Sequence, residues 1–429
     1  MTLRVIFAIA LVAAASARAA DVFVSPEGRD EAAGTQEAPF ATLARAQQDV
    51  APGDTVHVRG GRYRIPATGV AATKDIWAYV ILLDKSGAEG RPITYAAFGD
   101  ERPVFDFHDV TPRKRINAFQ VTGSWIRLVG IEITGVRGVL TGHAQSACIE
   151  NMGSHNRFER IAMHDNEAIG FYGVRGKDVE VVDCDAWKNH DPTAEDGRGG
   201  NTDGFGCHPP RGSTGWVFRR CRAWLNADDG FDCIAAHEPV VFEECWAFHN
   251  GFDSAMQPLA DGNGFKAGGY GGLPADRLPA EIPRHVIRRC VAARNRAAGF
   301  YANHHPGGCD WIANSAYRNA ANFDMRGRLM DNVTPAAGRG HVLRDNLATG
   351  SGRPLVNIEA AACTLDHNLF AGGPGAPRLT DADFASLDID ELSRPRPANG
   401  GLPAITFLYP RPDGAAAGYG AFAAPAADR

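Results

Sequence analysis

The chain has 429 residues, enough for one long domain or two or three compact ones. Charged residues make up 22% and hydrophobic ones 44%, an ordinary globular balance. A formal net charge of -6 excludes the basic footprint of a nucleic-acid binder, so no nucleic-acid partner is expected.

The N-terminus reads MTLRVIFAIALVAAASARAAD. Arg4 precedes an apolar run from Val5 to Ala15, and Ala17-Arg18-Ala19 fits a small-x-small cleavage site. The run is too short to span a bilayer, so residues 1–20 are expected to be a secretory signal peptide. No later segment is apolar enough to cross a membrane. A secreted protein is expected, extracellular or periplasmic, and monomeric. Nine cysteines is an odd number, so at least one is unpaired or pairs between chains. Export permits disulfides, yet the repeat described below predicts mostly buried free thiols.

Asp21 to Ser25 reads as a strand, followed by turn-rich sequence. Ala41 to Val50 reads as a short helix, stopped by Pro52-Gly53. Asp54 to Tyr63 reads as strand, glycine turn and strand. Residues 65–156 carry less regular strands, at Pro92–Ala96, Pro103–Asp106 and Ile126–Ile133.

From residue 157 one pattern recurs. Asn166, Asn189, Asn226, Asn250, Asn295 and Asn319 each close a copy. Five residues before them stand Ile161, Cys184, Cys221, Cys245, Cys290 and Asn314. Three before stand Met163, Ala186, Ala223, Ala247, Ala292 and Ala316. The Asn intervals are 23, 37, 24, 45 and 24, a period near 23 or 24 with two insertions. A second marker runs in step: Gly-Phe at 170–171, 204–205, 230–231, 264–265 and 299–300, with Asn322-Phe323 in the same place.

A period of this length, rich in Val, Ile and Phe with Gly and Asn at turns, predicts an all-β solenoid of three strands per coil. Stacked coils sit about 4.8 Å apart, so equivalent residues form ladders. The helix at 41–50 is expected to cap the open N-terminal end. Insertions at 190–200 and 252–262 are expected to wall a groove. From about 375 the pattern dissolves. The solenoid is therefore assigned to residues 21–380, and a C-terminal cap or tail to 381–429.

The stacking brings chemistry together. Asp203, Asp229 and Asn263 precede Gly-Phe pairs and share one column. Asp232 and Lys266 follow the Phe and share a second. Asp-Gly is a common turn pair, and a single copy would mean only that. Four carboxylates (Asp203, Asp228, Asp229 and Asp232) from two neighbouring coils mean more. Two carboxylates about 5 Å apart repel by roughly 3 kcal/mol at an effective dielectric near 20, and a cation relieves this. An oxygen-only, anionic donor set suits Ca²⁺ before Mg²⁺. Lys266 is either a counter-ion to Asp232 or a general base whose pKa a neighbouring dication pushes down. Calcium with an amine base is the chemistry of β-elimination on a uronic-acid polysaccharide.

The motifs TDGF at 202–205, DDGFD at 228–232 and NGFK at 263–266, on this repeat, resemble the family 9 pectate lyases. The opening VFVSPEGRD, PFATLARAQ and PGDTVHVRGGRY is also similar to that family. The resemblance spans most of residues 21–330. It implies a right-handed parallel β-helix, Ca²⁺ ligation by Asp203, Asp228, Asp229 and Asp232, and Lys266 as the base. It also implies an acidic polysaccharide partner, pectate (polygalacturonate), with rhamnogalacturonan the substrate of some relatives. Two other readings remain open. A β-helical hydrolase would use paired Asp, but the Gly-His-Gly and Arg-Ile-Lys motifs of polygalacturonases are absent after the Asp pair. A non-catalytic polysaccharide-binding β-helix would not require the lysine in register. Arg294, Arg296, Arg326 and Arg328 are candidates to meet substrate carboxylates, and His190, Arg198 and His304-His305 to line the groove.

Overall fold

The structure is a computed structural model and describes residues 19–373 and 375–423. All but the last two residues of the expected signal segment lie outside it.

The chain winds as a parallel β-helix with three sheets. The first has twelve strands, from Asp21–Val24 to Thr364–Asp366. The second has eleven, from Gly61–Arg64 to Leu369–Phe370. The third also has eleven, from Ala72–Lys74 to Leu355–Val356. One coil contributes one short strand to each, as Trp216–Arg219, Arg222–Trp224 and Phe231–Asp232 do. Pairing between coils is parallel throughout the stack; the third sheet ends on one antiparallel strand, Ala72–Lys74.

The corner between the first two sheets needs a left-handed residue in coil after coil. Gly130 takes it at φ +74, and Arg160, Asp183, Arg220, Glu244 and Arg289 take it at φ between 52 and 56. A non-glycine residue there costs roughly 1–2 kcal/mol, which the ladders on either side offset. This corner also divides the single strand expected at Ile126–Ile133. It becomes Ile126–Val129 in the first sheet and Glu132–Thr134 in the second, split at Gly130. Hydrophobic periodicity alone does not show that bend.

The ladders follow the repeat. Phe171, Phe205, Phe231, Phe265, Phe300 and Phe323 pair rung on rung inside the third sheet. Ring centroids from Phe205 onward are 4.7 to 5.2 Å apart. Ala186, Ala223, Ala247, Ala292 and Ala316 line the second sheet, the first four with their methyl groups close against Gly170, Gly204, Gly230 and Gly264. The asparagines form a buried hydrogen-bonded column, each Nδ2 donating to the next Oδ1, from Asn166 through Asn189, Asn226, Asn250 and Asn295 to Asn319. The thiols of Cys184, Cys221, Cys245 and Cys290 donate to backbone carbonyls in a parallel column. All nine cysteines are free, eight of them buried. Cys207 and Cys233 are among the buried thiols, with no bond between them.

Asn226 shows what such a column contributes. Its Nδ2 donates to Asn250 Oδ1 and Ala186 O, both at 3.0 Å, and its Oδ1 accepts from Asn189 Nδ2 at 3.0 Å. Asn226→Ala removes all three of these buried hydrogen bonds, each worth about 1 kcal/mol net, although Asn189 Nδ2 keeps Met163 O and Asn250 Oδ1 keeps the residue-226 amide. We expect a loss of about 3 kcal/mol or more, read from the denaturant midpoint. A loss below about 1 kcal/mol would show that the column is ornamental.

The helix Leu43–Asp49 starts at Thr42, whose hydroxyl accepts from the Arg45 amide. It is slightly shorter than the expected 41–50. Leu43 and Ala46 join the core beside Val24 and Val56, so the helix closes the N-terminal end. At the other terminus, residues beyond Thr380 form two short 3-10 helices, Asp381–Asp383 and Ile389–Ser393. Phe384, Leu392 and Phe407 lie on the outer face of the second sheet, against Trp246, Val291 and Leu347. Arg222 and Arg396 clamp this segment through the buried Asp185, at 2.6 and 2.7 Å. No helix among the described residues is long and apolar enough to cross a membrane.

Candidate active site

Side chains alternate across a strand, so the residue after each interior Phe of the third sheet points outward. Register makes these residues a second column: Glu150, Tyr172, Gly206, Asp232, Lys266, Tyr301 and Asp324. The residue two before each Phe supplies the adjoining column. Asp203 Oδ1 accepts the Asp229 amide at 3.0 Å, and Asp229 Oδ1 accepts the Asn263 amide at 2.7 Å and its Nδ2 at 2.8 Å. Backbone donors thus lock the inner oxygen of each carboxylate and leave the outer one without a backbone donor.

Asp203, Asp229 and Asp232 converge, with one oxygen from each within 4.8 Å of the others. All three are buried. Lys266 Nζ lies 3.0 Å from Asp229 Oδ2 and 3.0 Å from Asp232 Oδ2, its side chain 12% exposed. Asp228 is buried but stands outside this trio. Its two oxygens accept the amides of Asn201, at 2.6 Å, and Asp261, at 3.0 Å. These amides lie at the ends of the two insertions, so Asp228 ties both walls to the site. A buried pair, Arg115 with Asp191 at 2.6 Å, anchors the first wall.

Electrostatics follow from the crowding. Burial, then Asp232, Asp228 and Asp229, pushes the Asp203 carboxyl well above the usual range. Burial and Asp229 raise Asp228 to about 8. Burial also raises Asp229, against the opposing charge of Lys266. For Lys266, burial opposes the charge, but Asp229, Asp232, Asp228 and Asp203 together hold the ammonium well above its ordinary value. Among the protein's own groups the lysine is therefore a protonated counter-ion to two aspartates, not to Asp232 alone.

The trio suits a hard cation. Its donors are all anionic oxygens. Asp229 Oδ2 is buried without a hydrogen bond and has only the ammonium beside it. Neighbouring Gly206 has no side chain on the same face, and the Tyr172 ring fills the place of one, since a Cβ there would sit 3.0 Å from it.

Several groove residues are missed by reading the Asp and Lys copies alone. Tyr172, Tyr301 and Asp324 follow interior phenylalanines in the same register as Asp232 and Lys266, so reading every copy of the Gly-Phe marker finds them. Tyr172 Oη lies 3.2 Å from His208 Nδ1, and burial lowers the His208 pKa, so that imidazole is neutral. Nothing in the sequence pattern marks His208 or Arg353. Of the arginines singled out earlier, Arg296 and Arg326 line a cleft beside Tyr301. Arg328 instead donates to Gly271 O, and Arg294 is exposed outside that cleft. His305 is buried between the Gly269 amide and Pro283 O, while His304 Nδ1 meets Tyr301 Oη at 3.2 Å. His190 is half-buried with Nε2 unpartnered, and Arg198 is exposed. A larger groove, about 660 Å³ between the C-terminal segment and the second sheet, includes none of the aspartates.

This arrangement has known counterparts. Residues 22–345 match the family described as Pel9A-like, right handed beta helix region. Pectate lyase L of Dickeya dadantii (strain 3937) is 32% identical over 391 residues, covering 89% of this chain and 81% of that protein. Pectate lyase PEL9 of Emericella nidulans is 30% identical over 427 residues, covering 91% and 92%. Among solved structures, a rhamnogalacturonan lyase superposes with a TM-score of 0.89 at 39% identity, covering 94% of this chain and all of that one. Pectate lyase Pel9A superposes at 0.73 with 29% identity, covering 94% and 96%. The hydrolase and non-catalytic readings therefore give way, and the chain belongs to the Pel9A-like right-handed β-helix family, the family 9 pectate lyases, and is a polysaccharide lyase.

Proposed function

We propose that this lyase is secreted and calcium-dependent, and that it cleaves pectate by β-elimination with Lys266 as base. The observation that carries the reading is the position of Lys266, 3.0 Å from two carboxylates of a convergent trio on the open face of the third sheet. A calcium ion held by Asp203, Asp229 and Asp232, with Asp228 behind them, would offset the field that protonates Lys266 and would bind and polarise the substrate carboxylate. Burial then governs Lys266, and a buried amine favours its neutral form. The free amine takes the C5 proton of the uronate. The C5–H electron pair forms the C4=C5 double bond, the C4–O bond breaks, and the departing oxygen gains a proton to become a hydroxyl. Asp203 and Asp229 keep their geometry throughout because backbone amides hold their inner oxygens.

A second reading takes rhamnogalacturonan as the substrate. The favouring observation is the 39% identity and 0.89 TM-score with a rhamnogalacturonan lyase. The test is an ultraviolet assay for the unsaturated product on polygalacturonate and on rhamnogalacturonan, with calcium and with chelator. We expect absorbance to rise with calcium on at least one polymer. New reducing ends without unsaturation would overturn the proposal.

A further inference from the structure

The groove is not symmetric about Lys266. On the N-terminal side its outward column runs Asp232, Gly206, Tyr172, Glu150 and Gln120, without a cation. Glu150 accepts from Gln120, and its neighbours are neutral amides and a phenol. Without a bound cation this side repels a carboxylate and offers acceptors and a ring to hydroxyl groups.

The C-terminal side is the reverse. One rung beyond Lys266, Tyr301 opens a cleft of about 430 Å³ lined also by Arg296, Asp324, Arg326 and Arg353. Asp324 is already neutralised, since Arg326 Nη2 donates to it at 2.9 Å and Asn357 Nδ2 at 2.7 Å. Arg326 spends Nε and Nη2 on Asp324, and its side chain stays 40% exposed. Arg296 gives Nη1 to Ala260 O at 2.7 Å. Arg353 is exposed, and among the described residues its guanidinium makes no ion pair or hydrogen bond. Asp261, on the rim, is the other carboxylate, so three guanidinium groups face two acids. A guanidinium matches a carboxylate in two-pronged geometry.

We propose that this cleft is a subsite for a uronate carboxylate, bound by Arg353 and Arg326. Only the placement of the broken bond beside Lys266 rests on the lyase reading; carboxylate capture in the cleft does not.

The experiment is calorimetric titration of digalacturonate and of its dimethyl ester, in chelator so that metal bridging plays no part. Wild type is expected to bind the acid about tenfold or more tighter than the ester, the value of one charge-assisted contact. Arg353→Ala and Arg326→Gln each shrink that ratio, and Arg353→Lys restores part of it. An acid-to-ester ratio near one in wild type, or one unchanged in both arginine variants, overturns the subsite. A protein that shows the ratio but yields no unsaturated product supports the subsite and sinks the lyase proposal alone.

Discussion

Lys266→Ala is expected to lower turnover by about two to four orders of magnitude, the usual contribution of a positioned base. It also has a cost in stability. The ammonium lies 3.0 Å from both Asp229 and Asp232, buried among carboxylates. Removing one partner of a buried charge pair costs about 3–5 kcal/mol. The variant should therefore melt earlier than wild type in chelator, and calcium should recover most of the difference. Base and counter-ion are separated by Lys266→Arg. A guanidinium keeps its proton at any working pH, so it preserves the ion pair and cannot accept the C5 proton. We expect near-normal melting in chelator and no turnover. Near-normal turnover in Lys266→Arg would end the assignment of the base.

Chelation is expected to abolish turnover, by about two orders of magnitude or more, and added calcium to restore it. Asp229→Asn should weaken calcium binding most, because Asp229 is fully buried and its Oδ2 has no hydrogen bond of its own. Asp228→Asn should weaken it less, since both oxygens of Asp228 already accept backbone amides. The pH dependence has a definite sign. Folding raises the carboxyls of Asp203, Asp228 and Asp229 above their ordinary value of 3.8, Asp228 to about 8. A raised carboxyl pKa contributes stability that is complete below about pH 4 and lost as pH rises through about 8. Protein in chelator should thus melt earlier at about pH 9 than at about pH 5. Calcium competes with those protons, so its stabilising increment should grow over the same interval. Calorimetry at the two pH values decides; an increment that shrinks toward high pH would contradict metal binding at this trio.

The sequence alone determined the winding and the identity of the clustered groups. A period near 24 with two markers in step specifies which residues stack, because parallel strands about 4.8 Å apart turn a linear repeat into columns. The Asn ladder, the small Ala column and the interior Phe column were all readable from spacing. So was the outward register of Asp232 and Lys266. Tertiary structure decided orientation and charge. Asp228 and Asp229 are adjacent in sequence, yet one faces two backbone amides and the other faces the lysine, because successive residues take opposite sides of the turn. The upward shift of Lys266 depends on four carboxylates and burial acting at once, which no local pattern encodes. Arg353 reaches the groove from a turn beyond any repeat marker, and Arg294 misses it. Spacing counts rungs along the axis; which way a side chain leaves a corner is set by backbone angles such as the left-handed residues at each bend, and those follow from packing.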